Sequence, residues 1–310
     1  MTGFKSVFRT FVAKISNILS MKRILILLPV LVMMCGCNFY KQAAVNENQT
    51  KKPKKIMSLN PTWPNVLGGI PAPQGFVRTR ADNTSFAAYL RSLPLKPKGS
   101  DVLTYNGDVA YTSFAAYAVV KMDVGNRDLQ QCADAIIRLR AEWLYSQKRY
   151  DEIAFHFVSG FLCEYKKWAE GYRITVKKGG SVSWTKSAQK DYSYQNFRRY
   201  LDRVFEFAST ISLAKETKPV KFADMQIGDI LITPGAPGHS VIIADMVSSP
   251  ITGEKRFLVA ESYMPAQEIH ILATDPFERN SPWFSLSELV SDKGIEFLTC
   301  TFPDNSLRRF

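Results

Sequence analysis

A cysteine in a predicted helix and a histidine before a predicted strand are the residues of this sequence best suited to nucleophilic chemistry. Cys132 lies in "DLQQCADAIIRLRAEWLYSQKR", where Asp128 and Gln131 have capping-box spacing and place Cys132 in the first helical turn. Free N–H groups and the helix dipole stabilise a thiolate there. His239, in "GDILITPGAPGHSV", follows a glycine-rich turn and opens an apolar run that can hold its ring. The two residues predict a thiol nucleophile with a histidine base.

A base of this kind needs a third residue to orient its ring. Glu261 is the predicted partner, because its run follows the His239 run and reaches the same sheet edge if the two strands form a hairpin. Gln267 and Asp245 are the alternatives; Asp245 lies six residues after His239 and therefore on the same face of an extended strand, but far along it.

The remaining cysteines and histidines have surroundings that favour packing. Cys163 is expected in mid-helix among aromatic residues, and Cys300, in "FLTCTF", is expected to be a buried inert thiol. His156 lies between aromatic residues, and His270 is expected on the polar face of a strand with Glu268. The alternative to a catalytic pair is that Cys132 is a small core residue and that His239 is a histidine at a strand end that faces solvent.

No metal and no cofactor is expected. His239, His270 and Glu261 could in principle bind zinc, but the sequence has no compact H-E-x-x-H or H-x-H ligand pair. It also lacks a P-loop and a G-x-G-x-x-G turn after a strand, so it gives no support to nucleotide chemistry.

Positive charge is concentrated near the N-terminus of the 310-residue chain, whose formal net charge is +12. The first 36 residues contain five Lys or Arg and no acidic residue, and residues 41–55 add five more against Glu47. From Ile56 onward, 30 basic residues face 27 acidic ones, so no nucleic-acid partner is expected.

Residues 1–37 are predicted to be a signal region that ends in a lipobox. In "MKRILILLPVLVMMCGC" two basic residues precede a short apolar run, and Gly36 precedes Cys37. Cys37 is therefore the predicted lipid-attachment site, which anchors the chain to a membrane of the cell envelope, expected to be the outer membrane of a Gram-negative bacterium. An uncleaved anchor helix is the alternative, and the start could be Met1 or Met21.

The polar residues 38–57 are predicted to be a flexible tether, and residues 58–310 a single α+β domain. A division near residue 180 is the alternative. The local patterns predict a helix that Pro94 stops, a hairpin turn at Asn106–Gly107, a helix in "FLCEYKKWAE", a helix from about Tyr194 to Ala214, and strands over 229–233, 240–246, 257–262 and 268–272.

Four stretches together resemble the domain-of-unknown-function family 4846, which comprises lipoprotein-like chains of Gram-negative bacteria. They are "SFAAYLRSLPLKP", "DLQQCADAIIRLRAEWL", "GDILITPGAPGHSVIIADM" and "SYMPAQEIHIL", and the likeness runs from about Ile70 to the C-terminus. The resemblance implies one undivided domain and no established activity.

A more distant resemblance concerns NlpC-type papain-like cysteine peptidases. "MQIGDILI" followed by "GHSVIIADM" is similar to their Gly-Asp and Gly-His-Val strands, and Cys132 precedes both as their nucleophile does. The likeness implies a papain-like fold with helices between Ile153 and Ala214 inserted before the sheet. Gln131 and Ala133 depart from the Asp-Cys-Ser motif of those enzymes.

The sequence thus predicts a lipid-anchored envelope protein that acts as a cysteine hydrolase or acyltransferase on a peptide or amide bond, with cell-wall peptides as a possible substrate. Cys132 is the predicted nucleophile, His239 the base and Glu261 the orienting residue. The alternative is a non-catalytic binding or structural lipoprotein on the same scaffold.

Overall fold

Helices and antiparallel strands combine in an α+β architecture, as the sequence predicts. The computed structural model describes residues 63–177, 181–277, 280–291 and 294–310. The predicted signal region, with Cys37, and the tether lie outside these residues. Residues Leu59–Phe310 form one compact unit. Within the described residues, none of the helices combines the length and the apolar character that crossing a membrane requires.

The helices and strands of the described residues have the following bounds. The helices are α1 (Phe86–Ser92), α2 (Cys132–Ser146), α3 (Tyr165–Ala169), α4 (Tyr194–Phe205), α5 (Thr210–Glu216) and α6 (Leu286–Leu289). The strands are β1 (Val77–Arg78), β2 (Ala116–Val119), β3 (Ala154–His156), β4 (Leu162–Glu164), β5 (Tyr172–Val176), β6 (Val182–Lys186), β7 (Lys218–Pro219), β8 (Ile230–Thr233), β9 (His239–Ser248), β10 (Lys255–Glu261), β11 (His270–Leu272), β12 (Phe284–Ser285), β13 (Val290–Ser291), β14 (Gly294–Glu296), β15 (Thr301–Phe302) and β16 (Leu307–Arg309).

The central sheet has nine strands, and its main path runs β2-β11-β10-β9-β8-β16-β7, with β1 against β9 and β12 against β10. Every pairing in it is antiparallel. The strands β8 to β11 confirm the four strands predicted from the apolar runs, within a few residues at each end. Strand β9 is buried along almost its whole length because both faces of the sheet are covered.

Helix α2 packs against β9 and belongs to the apolar layer on one face of the sheet. The opposite face packs against the small sheet β13-β14-β15, whose Phe302 and Ile295 join Val241 and Val259 in a second apolar cluster. The sheet therefore lies between helices and a short three-stranded layer, and β9 contributes to both interfaces.

The cap of α2 differs from the prediction by three residues. Gln131 is the N-cap and Cys132 the first helical residue, and the backbone N–H of Gln131 donates to Asp134 in the capping box. Asp128 does not cap the helix, because its carboxylate accepts from the Gln131 amide and from the backbone N–H of Ala266. The cap carboxylate thus comes from within the helix, three residues after Gln131.

Two helix predictions were wrong in detail. Cys163 lies on strand β4, and only Tyr165–Ala169 of the predicted second helix is helical. The predicted helix from Tyr194 to Ala214 is two helices, because Ser209 caps α5 through its side chain. At Asn106–Gly107 the chain does turn, with a single bridge between Leu103 and Val109 instead of extended strands.

Candidate active site

Cys132 lies at the point where α2 begins, on the helix that packs against β9. It is the first residue of the helix, and only 7% of its surface is exposed. As a first-turn residue its backbone N–H has no acceptor within the helix. Its side chain reaches two neighbouring cavities. The sequence thus places a thiol and a free N–H donor at the same point.

His239 opens β9 directly after the glycine-rich turn. A Cβ atom on Gly238 would lie 2.4 Å from Oγ1 of Thr210 and 2.6 Å from the carbonyl oxygen of Gly235, so no larger residue fits without displacement. The Thr210 hydroxyl also contacts the Gly235 backbone at 3.3 Å, which ties the turn to the start of α5. The glycine therefore lets the turn approach α5 closely and fixes where the histidine strand begins.

The ring of His239 is packed as well as hydrogen-bonded. Its centroid lies 4.7 Å from that of Tyr263 and 5.9 Å from that of Phe302. The side chain is 14% exposed, so the ring is confined but still reaches solvent. This confinement limits the rotation that would take the ring away from Cys132.

Glu261 is the acidic partner of His239, at the end of the neighbouring strand β10. Its Oε2 lies 3.2 Å from Nε2 of His239, and the side chain of Glu261 is 0% exposed. Oγ1 of Thr299 donates to the same oxygen at 2.6 Å. The other carboxylate oxygen, Oε1, lies 3.5 Å from Nε2 of His270, which pairs with Glu261 across β10 and β11.

The electrostatics of this cluster favour a charged pair. Burial raises the pKa of Glu261, but hydrogen bonds with His239 and His270 outweigh burial and lower it to about 2. Burial lowers the pKa of His239, but hydrogen bonds with Cys132, Cys300 and Glu261 outweigh burial and raise it to about 12. Glu261 is therefore ionised, and His239 is stabilised as an imidazolium.

Cys132 and His239 line the same cavity. Because Nε2 of the ring faces Glu261, Nδ1 is the nitrogen left for the thiol. The arrangement places a sulfur atom, an imidazole and a buried carboxylate in series. Chemically, such a series can generate and stabilise a thiolate and later return a proton to a leaving group.

Two cavities meet at Cys132. The smaller, about 160 Å³, is lined by His239, Tyr263, Met264 and Thr233 among others. The larger, about 590 Å³, lies along the first turn of α2, the start of α5 and the 235–238 turn. Both are lined by Cys132, Pro237, Gly238 and Met264, so a ligand in either cavity lies beside Cys132.

The alternative third residues lie in other contacts. Asp245 is fully buried and forms ion pairs with Arg78 at 2.8 Å and Arg91 at 2.7 Å. The amide of Gln267 donates to Oγ1 of Thr112 at 2.7 Å. Of the three acceptors considered from sequence, the structure brings Glu261 alone into hydrogen-bond distance of His239.

Several residues of the cluster were missed by sequence reasoning. Cys300, expected to be inert in the core, is partly exposed, and its Sγ lies 3.7 Å from Oε2 of Glu261. Burial raises the pKa of Cys300, which favours the neutral thiol. His270 is fully buried beside Glu261, not on a polar face. The alternation of polar and apolar residues around His270 indicated a strand, which here lies next to the strand of Glu261. The run "FLTCTF" gave no indication that Cys300 lies near Glu261.

The other histidine and cysteine are remote from this cluster in their contacts. His156 is half-exposed on β3 and pairs with Glu216 at 3.1 Å through its Nδ1. Cys163 is completely buried on β4, and burial raises the pKa of its thiol. Among the described residues, one group of potential metal ligands stands out: donor atoms of His239, Glu261 and Cys300 lie within 4.8 Å of one another.

Comparison with known proteins gives one match. A family model described as "Domain of unknown function (4846)" matches residues 67–309, which is most of the chain. No curated protein matches the chain, and no solved structure does.

Proposed function

We propose that this chain, which belongs to domain-of-unknown-function family 4846, is a cysteine hydrolase or acyltransferase that acts on a peptide or amide bond. The observation that carries the proposal is that Cys132 and His239 line one cavity, where the buried Glu261 holds Nε2 of the His239 ring. A thiol, a base and an orienting acid in this order are the requirements of nucleophilic acyl transfer.

The first chemical step is attack by the Cys132 thiolate on the carbonyl carbon, with the thiol proton held on His239. A carbon–sulfur bond forms, and the carbonyl electron pair moves to oxygen. The backbone N–H of Cys132, which lacks a helical acceptor, points from the first turn of α2 and stabilises the oxyanion. The positive end of the α2 dipole acts in the same direction.

In the second step the carbon–nitrogen bond breaks and His239 gives its proton to the leaving amine. A thioester on Cys132 and a neutral imidazole remain. Water completes hydrolysis, or an acceptor amine completes acyl transfer, when His239 removes its proton and the sulfur leaves as a thiolate. Glu261 keeps the ring oriented throughout, because its oxygens remain fixed by Thr299 on one side and His270 on the other.

The cavities support an extended acyl substrate. They share Cys132, so a bound peptide can place one part in the cavity with His239 and another in the cavity along α2. The larger cavity has several apolar lining residues, Leu129, Phe205 and Met264 among them, together with backbone of the glycine-rich turn. Backbone at a glycine-rich turn can approach a bound chain closely.

The papain-like arrangement is part of the same proposal. The helix that carries Cys132 packs on the strand that carries His239, and the elements from β3 to α5 lie between them in the sequence, where an insertion was expected. With lipid on Cys37 the domain would act in the cell envelope, where peptide crosslinks and stem peptides offer suitable amide bonds. A binding lipoprotein without turnover is the competing function.

Turnover of cell-wall peptides tests the proposal directly. The full chain is incubated with muropeptides from a Gram-negative cell wall, and newly formed primary amines are measured by mass spectrometry. Wild type and the control variant Cys163→Ala should release amines, whereas Cys132→Ala and His239→Ala should not. Equal release by Cys132→Ala would refute the assignment of the nucleophile, and no release by wild type on these or on a general peptide library would favour the binding function.

A further inference from the structure

The thiol of Cys300 lies close to the imidazole of His239 and the carboxylate of Glu261. One donor atom each of His239, Glu261 and Cys300 lies within 4.8 Å of the other two. The sequence predicts no metal site, because it has no compact ligand pair, and Cys300 is not among the ligands that it suggests. The strand ends of β9 and β10 and the segment before β15 bring them together.

We propose that His239, Glu261 and Cys300 form a binding site for Zn²⁺ or a similar soft divalent cation. The site shares His239 and Glu261 with the proposed acyl transfer and differs from it in using Cys300 in place of Cys132. The metal would take Nε2 of His239, one oxygen of Glu261 and the sulfur of Cys300.

Two of the three donor–donor distances fit a tetrahedral zinc site. With usual zinc–nitrogen, zinc–oxygen and zinc–sulfur bonds, a tetrahedron has a nitrogen–oxygen edge of about 3.4 Å and a sulfur–oxygen edge of about 3.6 Å. The structure has 3.2 Å between Nε2 of His239 and Oε2 of Glu261, and 3.7 Å between that oxygen and Sγ of Cys300. Shifts of a few tenths of an ångström would bring these two distances to zinc geometry. The nitrogen–sulfur distance, which lies within 4.8 Å, must come to about 3.6 Å on binding.

The donor set selects the class of ion. A thiolate, an imidazole and one carboxylate suit Zn²⁺ and related late transition metals, whereas Mg²⁺ and Ca²⁺ prefer all-oxygen sites. On binding, the Cys300 thiol loses its proton and His239 binds as neutral imidazole. The thiolate and the Glu261 carboxylate then balance the two positive charges of the ion, so no net charge is added to this buried place.

Neighbouring groups would orient the ligands. Oγ1 of Thr299 donates to Oε2 of Glu261 at 2.6 Å, and Nε2 of His270 lies 3.5 Å from Oε1. Both atoms are buried, and among the described residues neither has a closer hydrogen-bond partner than this contact. Such outer contacts commonly fix the ligands of a metal ion.

One consequence rests on the proposed function. A metal ion on Nε2 prevents His239 from forming the doubly protonated imidazolium that protonates the leaving amine. Bound metal and amide cleavage would therefore exclude each other. The metal site itself does not depend on that function, and its test is independent of turnover.

Cobalt titration tests the site. The full chain, purified in detergent and stripped with a chelator, is titrated with Co²⁺, whose thiolate complexes absorb in the near ultraviolet. Wild type and Cys163→Ala should develop this band at one ion per chain, and Cys300→Ala should not. Zn²⁺ should displace Co²⁺ from wild type and bind Cys300→Ala at least about tenfold more weakly.

Two further measurements keep the outcomes separable. Cys300→Ser provides a second variant if Cys300→Ala unfolds, as judged by circular dichroism, and it should also lack the wild-type band. Alkylation of Cys132 in the metal-free protein, followed by peptide mass spectrometry, reports the proposed nucleophile independently of metal. Absence of the band in wild type, or an equal band in the folded Cys300 variants, would overturn the metal site.

Discussion

Replacing Glu261 with glutamine removes the charge behind His239 while keeping an acceptor in place. The side-chain oxygen can still accept from the His239 ring and from the hydroxyl of Thr299, which now lie 3.2 Å and 2.6 Å from Oε2 of Glu261. The amide N–H₂ can face Nε2 of His270, whose Nδ1 lies 3.1 Å from the backbone oxygen of Glu268. Glu261→Gln is therefore close to a pure charge change.

The size of the effect follows from the distance and from the burial of the carboxylate. Two unit charges 3.2 Å apart attract by about 5 kcal/mol at an effective dielectric constant of about 20, which is an upper limit. The net difference between a charge-assisted and a neutral hydrogen bond is about 1–2 kcal/mol. Because this energy stabilises the imidazolium paired with the Cys132 thiolate, we expect thiol reactivity to fall about 5- to 30-fold.

The assay is the second-order rate of alkylation of Cys132 by iodoacetamide at pH 7, followed by peptide mass spectrometry. Glu261→Ala should react more slowly still, because it also leaves the His239 ring and the Thr299 hydroxyl without their acceptor. Cys163→Ala is the matched control and should react at the wild-type rate. A Glu261→Gln protein that melts like wild type and whose Cys132 reacts within about twofold of wild type would refute the electrostatic reasoning.

Three other changes have definite expected outcomes. In Gly238→Ala the new methyl group would lie 2.4 Å from Oγ1 of Thr210, which displaces the turn before His239. Alkylation of Cys132 should therefore slow at least about tenfold while the circular dichroism spectrum stays native, and an unchanged rate would contradict the role of the turn. Burial raises the pKa of Asp134 to about 8, against about 3.9 in an unfolded chain. The stability that the protonated Asp134 contributes below pH ~4 is therefore lost as pH rises to about 8, by at most about 1.4 kcal/mol per pH unit. Asp134→Asn should not show this loss when denaturant unfolding is compared at pH 5 and pH 8. The same change in the free energy of unfolding in both proteins would contradict the prediction. Asp245→Asn leaves two partly exposed arginines without their ion-pair partner and should lower the free energy of unfolding by about 3 kcal/mol. Alkylation of Cys132 in the folded protein should not change, and an unchanged melting temperature would contradict the prediction.

The strands around the site were predictable because their patterns are strong and local. The β9 and β10 runs are rich in β-branched and apolar residues, and turns bound them on each side. Their pairing as a hairpin follows from the short connection between them and brings the His239 and Glu261 ends together. The contact of Glu261 with His239 could therefore be predicted from the sequence, in preference to Asp245 and Gln267.

The parts that sequence reasoning missed depend on long-range packing. The Cys163 segment is a short apolar run, and its periodicity fits a helix and a strand equally well. It forms a strand because it pairs with β3. The break after Phe205 is caused by the Ser209 cap, one serine in an otherwise helical pattern. Cys300 reaches Glu261 only because β14 and β15 fold over the sheet, which the run "FLTCTF" does not reveal.

The central claim is that His239 activates Cys132 as a nucleophile toward acyl groups. The most direct measurement is intact and peptide mass spectrometry of the full chain after treatment with a peptidyl epoxide that alkylates activated cysteines. Our account predicts one adduct, on Cys132, in wild type and in Cys163→Ala, and at least about a hundredfold slower labelling in His239→Ala. An adduct elsewhere, or equal labelling of Cys132 in folded His239→Ala and wild type, would contradict it.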